Sequence, residues 1–261
     1  MPSFTNHRPE LLRRIRHGRK LIFGRIRRGL KPIFTNSRIA ARARPRKEFG
    51  LAGLDTKVIE KINQRKGFYV EIGANNGLDQ SNTLALELYW GWSGVLVEPI
   101  PSTFKELKRL RNGRRNYLVQ SACVGADWEE KTMQIAFANL MSTPLGVDSD
   151  ISHPMAHAES GRKFLGKKLS QLPVTVLEVP AVTMTSILKK SRAPQEIDFL
   201  SLDVEGGELE VLRGIDFELY TIRWILVESR DAERIRKYLE PFGYVLDSQL
   251  SVHDYLFFLP N

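Results

Sequence analysis

The chain lacks several features that would place a protein at once. It has one cysteine, Cys123, so no internal disulfide can form. It has no run of 18 consecutive apolar residues, which predicts no membrane-spanning helix. It does not open on an apolar stretch with a small-residue cleavage site, so no secretory signal is expected. These absences predict a cytoplasmic protein, at most peripheral on the cytoplasmic face of a membrane. Cys123 lies in the apolar run Tyr117–Val124 and reads as a small core residue rather than a nucleophile.

Acidic residues are scarce at one end only. Residues 1–48 hold 15 of the 39 Lys and Arg but just two acids, Glu10 and Glu48. That segment therefore carries about +13 and the remainder about −4, against +9 for the whole chain. An acidic body is a poor nucleic-acid surface, whatever the overall charge suggests, and it shows no aromatic stacking platform. Within 8–30, Leu11, Ile15, Ile22 and Ile26 share one helical face and arginines fill much of the rest. Such a basic amphipathic helix suits an anionic membrane surface; a basic tail, or a helix packed on the body, is the alternative. Pro32 and Pro45 mark a linker. The expected division is an extension over 1–48 and one domain over 49–261.

The domain opens with an informative unit. Phe68–Ile72 is a short apolar run ending in the glycine turn Gly73-Ala-Asn-Asn-Gly77, and a second run, Val95–Val97, ends in Glu98. A strand, a tight glycine turn, a helix, and a second strand tipped by an acid form a nucleoside-binding βαβ unit. The acid can accept both ribose hydroxyls. The dinucleotide fingerprint needs three glycines, and this turn has Gly73 and Gly77 only. Glu71 sits inside the first strand near its mouth, where it would repel a pyrophosphate. S-adenosylmethionine carries a sulfonium and an α-ammonium, both favoured by an acid. The pattern Glu71, Gly73, Asn75, Gly77 and Glu98, with Ser121 on the same edge, therefore favours S-adenosylmethionine over NAD.

Further strands are expected at 117–124, 132–137, 197–203, 222–228 and 253–259, with helices near 54–62, 81–90, 101–111, 184–190, 206–213 and 231–240. Strands alternating with helices predict an α/β fold, a mostly parallel sheet covered on both faces. The weak segment Tyr244–Leu250 leads to the final strand by a short connection, which permits antiparallel pairing only. Residues 139–173 break the alternation and read as an insertion of the kind that forms lids or binding loops. The run Ile197–Gly206, IDFLSLDVEG, places Asp203 at a strand tip with Glu205 two residues on, and Ile222–Glu228 ends in another acid. Ligands of open α/β sheets bind at that edge.

The stretches YVEIGANNG, GWSGVLVEPIPSTFKEL (91–107) and DFLSLDVEGGELEVLRGIDF (198–217), with SNT and LE at 81–87, resemble the FkbM-type methyltransferases over roughly 65–259. The resemblance implies a Rossmann-like class I methyltransferase with a seven-stranded sheet whose last strand is antiparallel. It implies S-adenosylmethionine-dependent O-methylation of a hydroxyl on a sugar, glycan or natural product. Asp203 and Glu205 are the candidate catalytic residues, with His153 and His157 of the insertion as alternatives. No metal is required by the spacing; a divalent ion on Asp203, Glu205 and Glu228 is the alternative. The competing classes are a non-catalytic membrane-surface protein with the same body, and an RNA methyltransferase.

Overall fold

Phe68–Ile72 becomes an interior strand of the main sheet. The structure, a computed structural model, describes residues 48–260 apart from 112, 114 and 166–168. The basic amphipathic segment 8–30 lies outside the described residues. The strands in chain order are β1 (Phe68–Ile72), β2 (Ser93–Val97), β3 (Asn116–Val119), β4 (Ala122–Val124), β5 (Thr132–Phe137), β6 (Thr143–Pro144), β7 (Thr175–Thr183), β8 (Glu196–Leu202), β9 (Thr221–Glu228), β10 (Val245–Gln249) and β11 (Asp254–Phe258). The α-helices are α1 (Leu54–Ile62), α2 (Pro101–Arg111), α3 (Pro154–Gly161), α4 (Met184–Ser191), α5 (Glu208–Arg213) and α6 (Ala232–Leu239). Among the described residues no helix is long and apolar enough to cross a membrane.

The main sheet has seven strands in the order β10-β11-β9-β8-β1-β2-β3. Its β3, β2, β1, β8 and β9 pair in parallel, and β11 runs antiparallel between β9 and β10. The fold is thus the expected Rossmann-like α/β arrangement with an antiparallel last strand. Alternation along the strands serves two cores at once. Val70, Ile72, Leu200 and Ile225 face α4, α5 and α6. Tyr69, Leu96, Phe199 and Leu226 face α1 and α2. Both faces are covered, which is why these strands read as continuous apolar runs.

Three of the strand expectations change in the structure, and Thr175–Thr183 is a strand that none of them covers. The run 117–124 divides: β3 stays at the edge of the main sheet, and β4 leaves to pair with β7. The expected strand 132–137 is β5, in a second sheet ordered β4-β7-β5-β6. The seventh main-sheet strand is β10, from the weak segment. The insertion is partly regular, supplying β6 and α3. The helix expected over 81–90 is shorter; it ends in a wide π-type turn, Leu86–Trp90, because Ser81–Thr83 turn inward to Glu71.

That inward turn belongs to a buried polar network around Arg111, which is fully buried. Its Nε donates to Glu87 at 2.6 Å and its Nη1 to the Gly77 carbonyl at 2.9 Å. Its Nη2 donates to the Tyr69 hydroxyl at 2.8 Å. Ser81 and Thr83 accept from the guanidinium and donate onward to the Glu71 carboxylate. One cation thus ties α2, the glycine turn, β1 and the segment that follows. Arg111→Met leaves two buried carboxylates without their counter-charge and should destabilise the protein by about 3–5 kcal/mol. Urea unfolding should show a lower midpoint, partly restored by adding Glu87→Gln. A midpoint like that of the wild type would show that the network contributes no net stability.

Candidate functional site

The carboxyl ends of β1, β2, β8 and β9 open onto one cavity of about 450 Å³, walled on the far side by the 139–147 stretch of the insertion. Glycine makes the first turn possible for a reason specific to this chain. Gly73 has φ +80°, and a Cβ there would sit 1.7 Å from the Asp203 carbonyl oxygen. The β1 turn and the β8 end are in backbone contact, also through the Asp203 N–H donating to the Ile72 carbonyl at 3.2 Å. Gly77 plays a different part. A Cβ on it would meet Leu107 and Arg111, so it lets α2 pack closely and does not line the cavity.

Glu98 stands just beyond β2 and is almost wholly buried. Its Oε2 accepts the Asn75 N–H at 3.0 Å and its Oε1 the Ile100 N–H at 2.9 Å. Burial pushes its pKa up to about 7, opposed by those two donors. Each oxygen keeps a lone pair, so the carboxylate can still accept two adjacent hydroxyls. Asn75 holds the turn at φ +47°, and its side-chain amide donates to Asn139 of the insertion at 3.3 Å. Ser121 also lines the cavity, but its hydroxyl is turned to the Ala122 and Pro180 carbonyls. Glu71 borders the cavity with its oxygens engaged by Ser81, Thr83 and the Asn82 N–H. It is a wall residue with little capacity left for a ligand.

On the opposite side Asp203, Glu205 and Glu228 converge, each placing an oxygen within 4.8 Å of the others. Asp203 is open to the cavity and otherwise surrounded by protein. Burial first, then Glu228, Glu205 and Glu208, hold its carboxyl well above the ordinary range. Burial and Glu228 raise Glu205 to about 7, and Arg230 opposes them. Like charges this close share protons rather than all ionising. Their hard oxygens could equally hold a divalent cation.

The loop that carries the two candidate catalytic acids is clamped by Glu208, which accepts the Val204 and Gly206 N–H groups at 3.0 and 3.1 Å. Of the two insertion histidines, His157 meets Glu205, Nε2 to Oε2 at 2.8 Å. His153 is exposed ahead of α3 and joins no part of the site. Three residues escaped the sequence reading. Glu208 is the clamp. Arg230, two positions after Glu228, reaches Glu205 at 3.4 Å. Asp150 accepts from the Ser229 hydroxyl and the Arg230 N–H at 2.7 and 2.6 Å. Adjacency to the acids was a signal for Glu208 and Arg230; nothing local marks Asp150.

Comparison with known proteins places this architecture. The profile of the methyltransferase FkbM domain matches residues 71–246, more than half of the chain. Methyltransferase 1 of Beauveria bassiana (strain ARSEF 2860) is 27% identical over 173 residues, 62% of this chain and 62% of that protein. The chain therefore spans less than two thirds of that relative. Among solved structures, human methyltransferase 10 domain containing protein is similar at a TM-score of 0.42 and 13% identity, over 78% of this chain and 80% of that one. The precorrin-6y C5,15-methyltransferase of Geobacter metallireducens GS-15 is similar at 0.37 and 13%, over 78% and 86%. On the family match, which runs from Glu71 in β1 to the second-last strand, the chain belongs to the FkbM methyltransferase family.

Proposed function

We propose that the protein uses S-adenosylmethionine to methylate a hydroxyl group of an uncharged acceptor, of sugar, glycan or natural-product type. One observation carries the reading: a single cavity joins a two-hydroxyl acceptor, Glu98, to a cluster of acids, Asp203, Glu205 and Glu228. Among the described residues lining it, eight are acids and one, Arg230, is a cation. A field of that sign favours a sulfonium and opposes phosphate-bearing acceptors. It therefore disfavours both a pyrophosphate cofactor and an RNA substrate.

When bound, S-adenosylmethionine supplies a sulfonium methyl that passes to the acceptor oxygen as the carbon–sulfur bond breaks, leaving a neutral thioether. The rest is work for this chain. Glu98 holds the ribose end. The apolar wall of Ile100, Met133 and Ile135 suits a flat base. Asp203 and Glu205 position the acceptor hydroxyl, and an ionised carboxylate among them takes its proton. Such positioning can supply roughly 7–11 kcal/mol of the barrier, and the base a further 10²–10⁴-fold, roughly.

Glu98→Ala removes a bidentate charged contact and should weaken S-adenosylmethionine binding by about 1.5–3 kcal/mol in calorimetric titration. An unchanged dissociation constant would remove Glu98 from the ribose site. Methyl transfer from labelled S-adenosylmethionine is expected to neutral glycans and not to their phosphorylated forms; transfer to the phosphorylated forms alone would refute the acceptor class.

Asp203→Asn should lower turnover about 10²–10⁴-fold and yet stabilise the ligand-free protein at alkaline pH. In the folded protein Glu98 and Glu205 ionise near 7 rather than near the ordinary 4.5. Between those values the native state binds more protons than the unfolded chain, so stability falls as pH rises from about 4.5 to about 7. Removing one of the repelling carboxylates should therefore raise Tm at pH 8, with the gain shrinking toward pH 5. Calorimetry showing a loss of Tm at pH 8 would mean that Asp203 serves the fold.

For the N-terminal extension we propose an anionic membrane surface as partner, which would keep the enzyme peripheral on a cytoplasmic face. The charge excess confined to residues 1–48 supports it. Each basic residue at such a surface contributes up to about 1 kcal/mol, weakened by salt. A chain starting at Phe49 should keep S-adenosylmethionine affinity and lose co-sedimentation with anionic vesicles. Equal sedimentation of both proteins would refute the partner.

A further inference from the structure

His157 reaches the site from outside the methyltransferase sheet, and its approach is built. α3 docks through its small residues. Ala158 is fully buried, and a Cβ on Gly161 would lie 2.6 Å from the Cβ of Met141 and 3.0 Å from that of Ala138. His157 is one helical turn before Gly161, so it lies on the same side of the helix. The close approach of α3 therefore sets how far the imidazole reaches toward the acids.

Its target is held in an unusual way. Glu205 has φ +56°, a left-handed conformation that residues with a side chain adopt only at a cost. Gly206 follows at φ +102°, with Ser149 and Ile151 of the insertion lying over it. Together with the Glu208 clamp this fixes the backbone, but the Glu205 side chain has rotamer freedom of its own. Two donors remove it. His157 Nε2 at 2.8 Å and Arg230 Nη2 at 3.4 Å meet the same oxygen, Oε2. No hydrogen bond to Oε1 is present among the described residues, and Glu205 borders the cavity. The groups around the imidazole are Glu205, Glu228, Asp150 and Arg230. Burial first, then Arg230, lower the His157 pKa, and Glu228 and Asp150 oppose them; in the Nε2–H tautomer the ring donates to Oε2.

We propose that His157 is a positioning residue of the transfer centre: from the insertion it holds the Glu205 carboxylate against the place of the sulfonium, so the insertion completes the active site. The proposal rests on the methyltransferase reading above.

S-adenosylmethionine and S-adenosylhomocysteine provide a test that needs no acceptor. The two differ by one methyl and one positive charge at sulfur, so the ratio of their dissociation constants reports negative charge held at that point. In the full-length protein the wild type should prefer S-adenosylmethionine. His157→Ala should reduce that preference about three- to tenfold, with S-adenosylhomocysteine affinity within about twofold of wild type. His157→Gln, whose amide N–H can replace Nε2–H, should restore most of it. Gly161→Val, which lifts α3 from Met141, should reproduce the loss with His157 intact. Glu205→Gln should lose the preference by itself.

An unchanged preference in His157→Ala would overturn the proposal. So would an equal weakening of both ligands, which a merely structural histidine would give, or an unchanged preference in Glu205→Gln. These results leave the methyltransferase reading standing. Binding of neither ligand by the wild type would overturn that reading and the proposal with it.

Discussion

A buried cation, Arg111, organises the half of the site that carries Glu98. Arg111 has five N–H donors in a rigid fork and no access to water, so each must find an acceptor inside the protein. Those acceptors come from β1, from the glycine turn, and from the segment 81–87 that follows it. Satisfying the guanidinium therefore dictates where the turn lies. The turn in turn presents the Asn75 N–H to Glu98. Asn116 of β3 closes the network by donating to Glu87 and to the Arg111 carbonyl. The same demand explains why Glu71, which looks like a ligand in sequence, is a structural anion. Its face of β1 is the face of Tyr69, and it looks toward Arg111.

Much of this was legible because the relevant signals are local. Continuous apolar runs mark β1, β2, β8 and β9, and the acids at their ends follow from chain position alone. What could not be read were relations between distant residues. Arg111 with Glu71, and His157 with Glu205, are separated by 40 and 48 positions; no spacing rule connects them. β7 was missed because Pro180 sits within it, and a proline argues against a strand interior. The strand survives as part of a small, half-exposed sheet. β10 was weak because as an edge strand it is exposed on both faces, so its sequence carries no alternation.

Gly73 and Gly77 show how the same letter carries different meanings. In sequence both read as room for a ligand. In the structure Gly73 yields to a neighbouring backbone and Gly77 to a packed helix. Each is required, and only the first borders the cavity. A glycine motif reports that something comes close; only the tertiary neighbours tell what it is.

The acid cluster is the feature the fold tolerates rather than gains from. Burying Glu98, Glu205 and Glu208 raises their pKa values to between about 7 and 8, which means the protein carries carboxylates it would rather keep protonated. Glu98 and Glu208 are held by backbone N–H donors, the least mobile partners available, and Glu205 by a histidine and an arginine from other elements. None of these arrangements lowers the pKa to its ordinary value. The remaining unfavourable energy is what a bound cation can relieve. Under the proposed function, a positive sulfur among the acids would supply that relief, and the gain would be lost once the methyl has left and the sulfur is neutral. The ligand-free rim would then favour capture of the sulfonium donor and release of the product with its neutral sulfur.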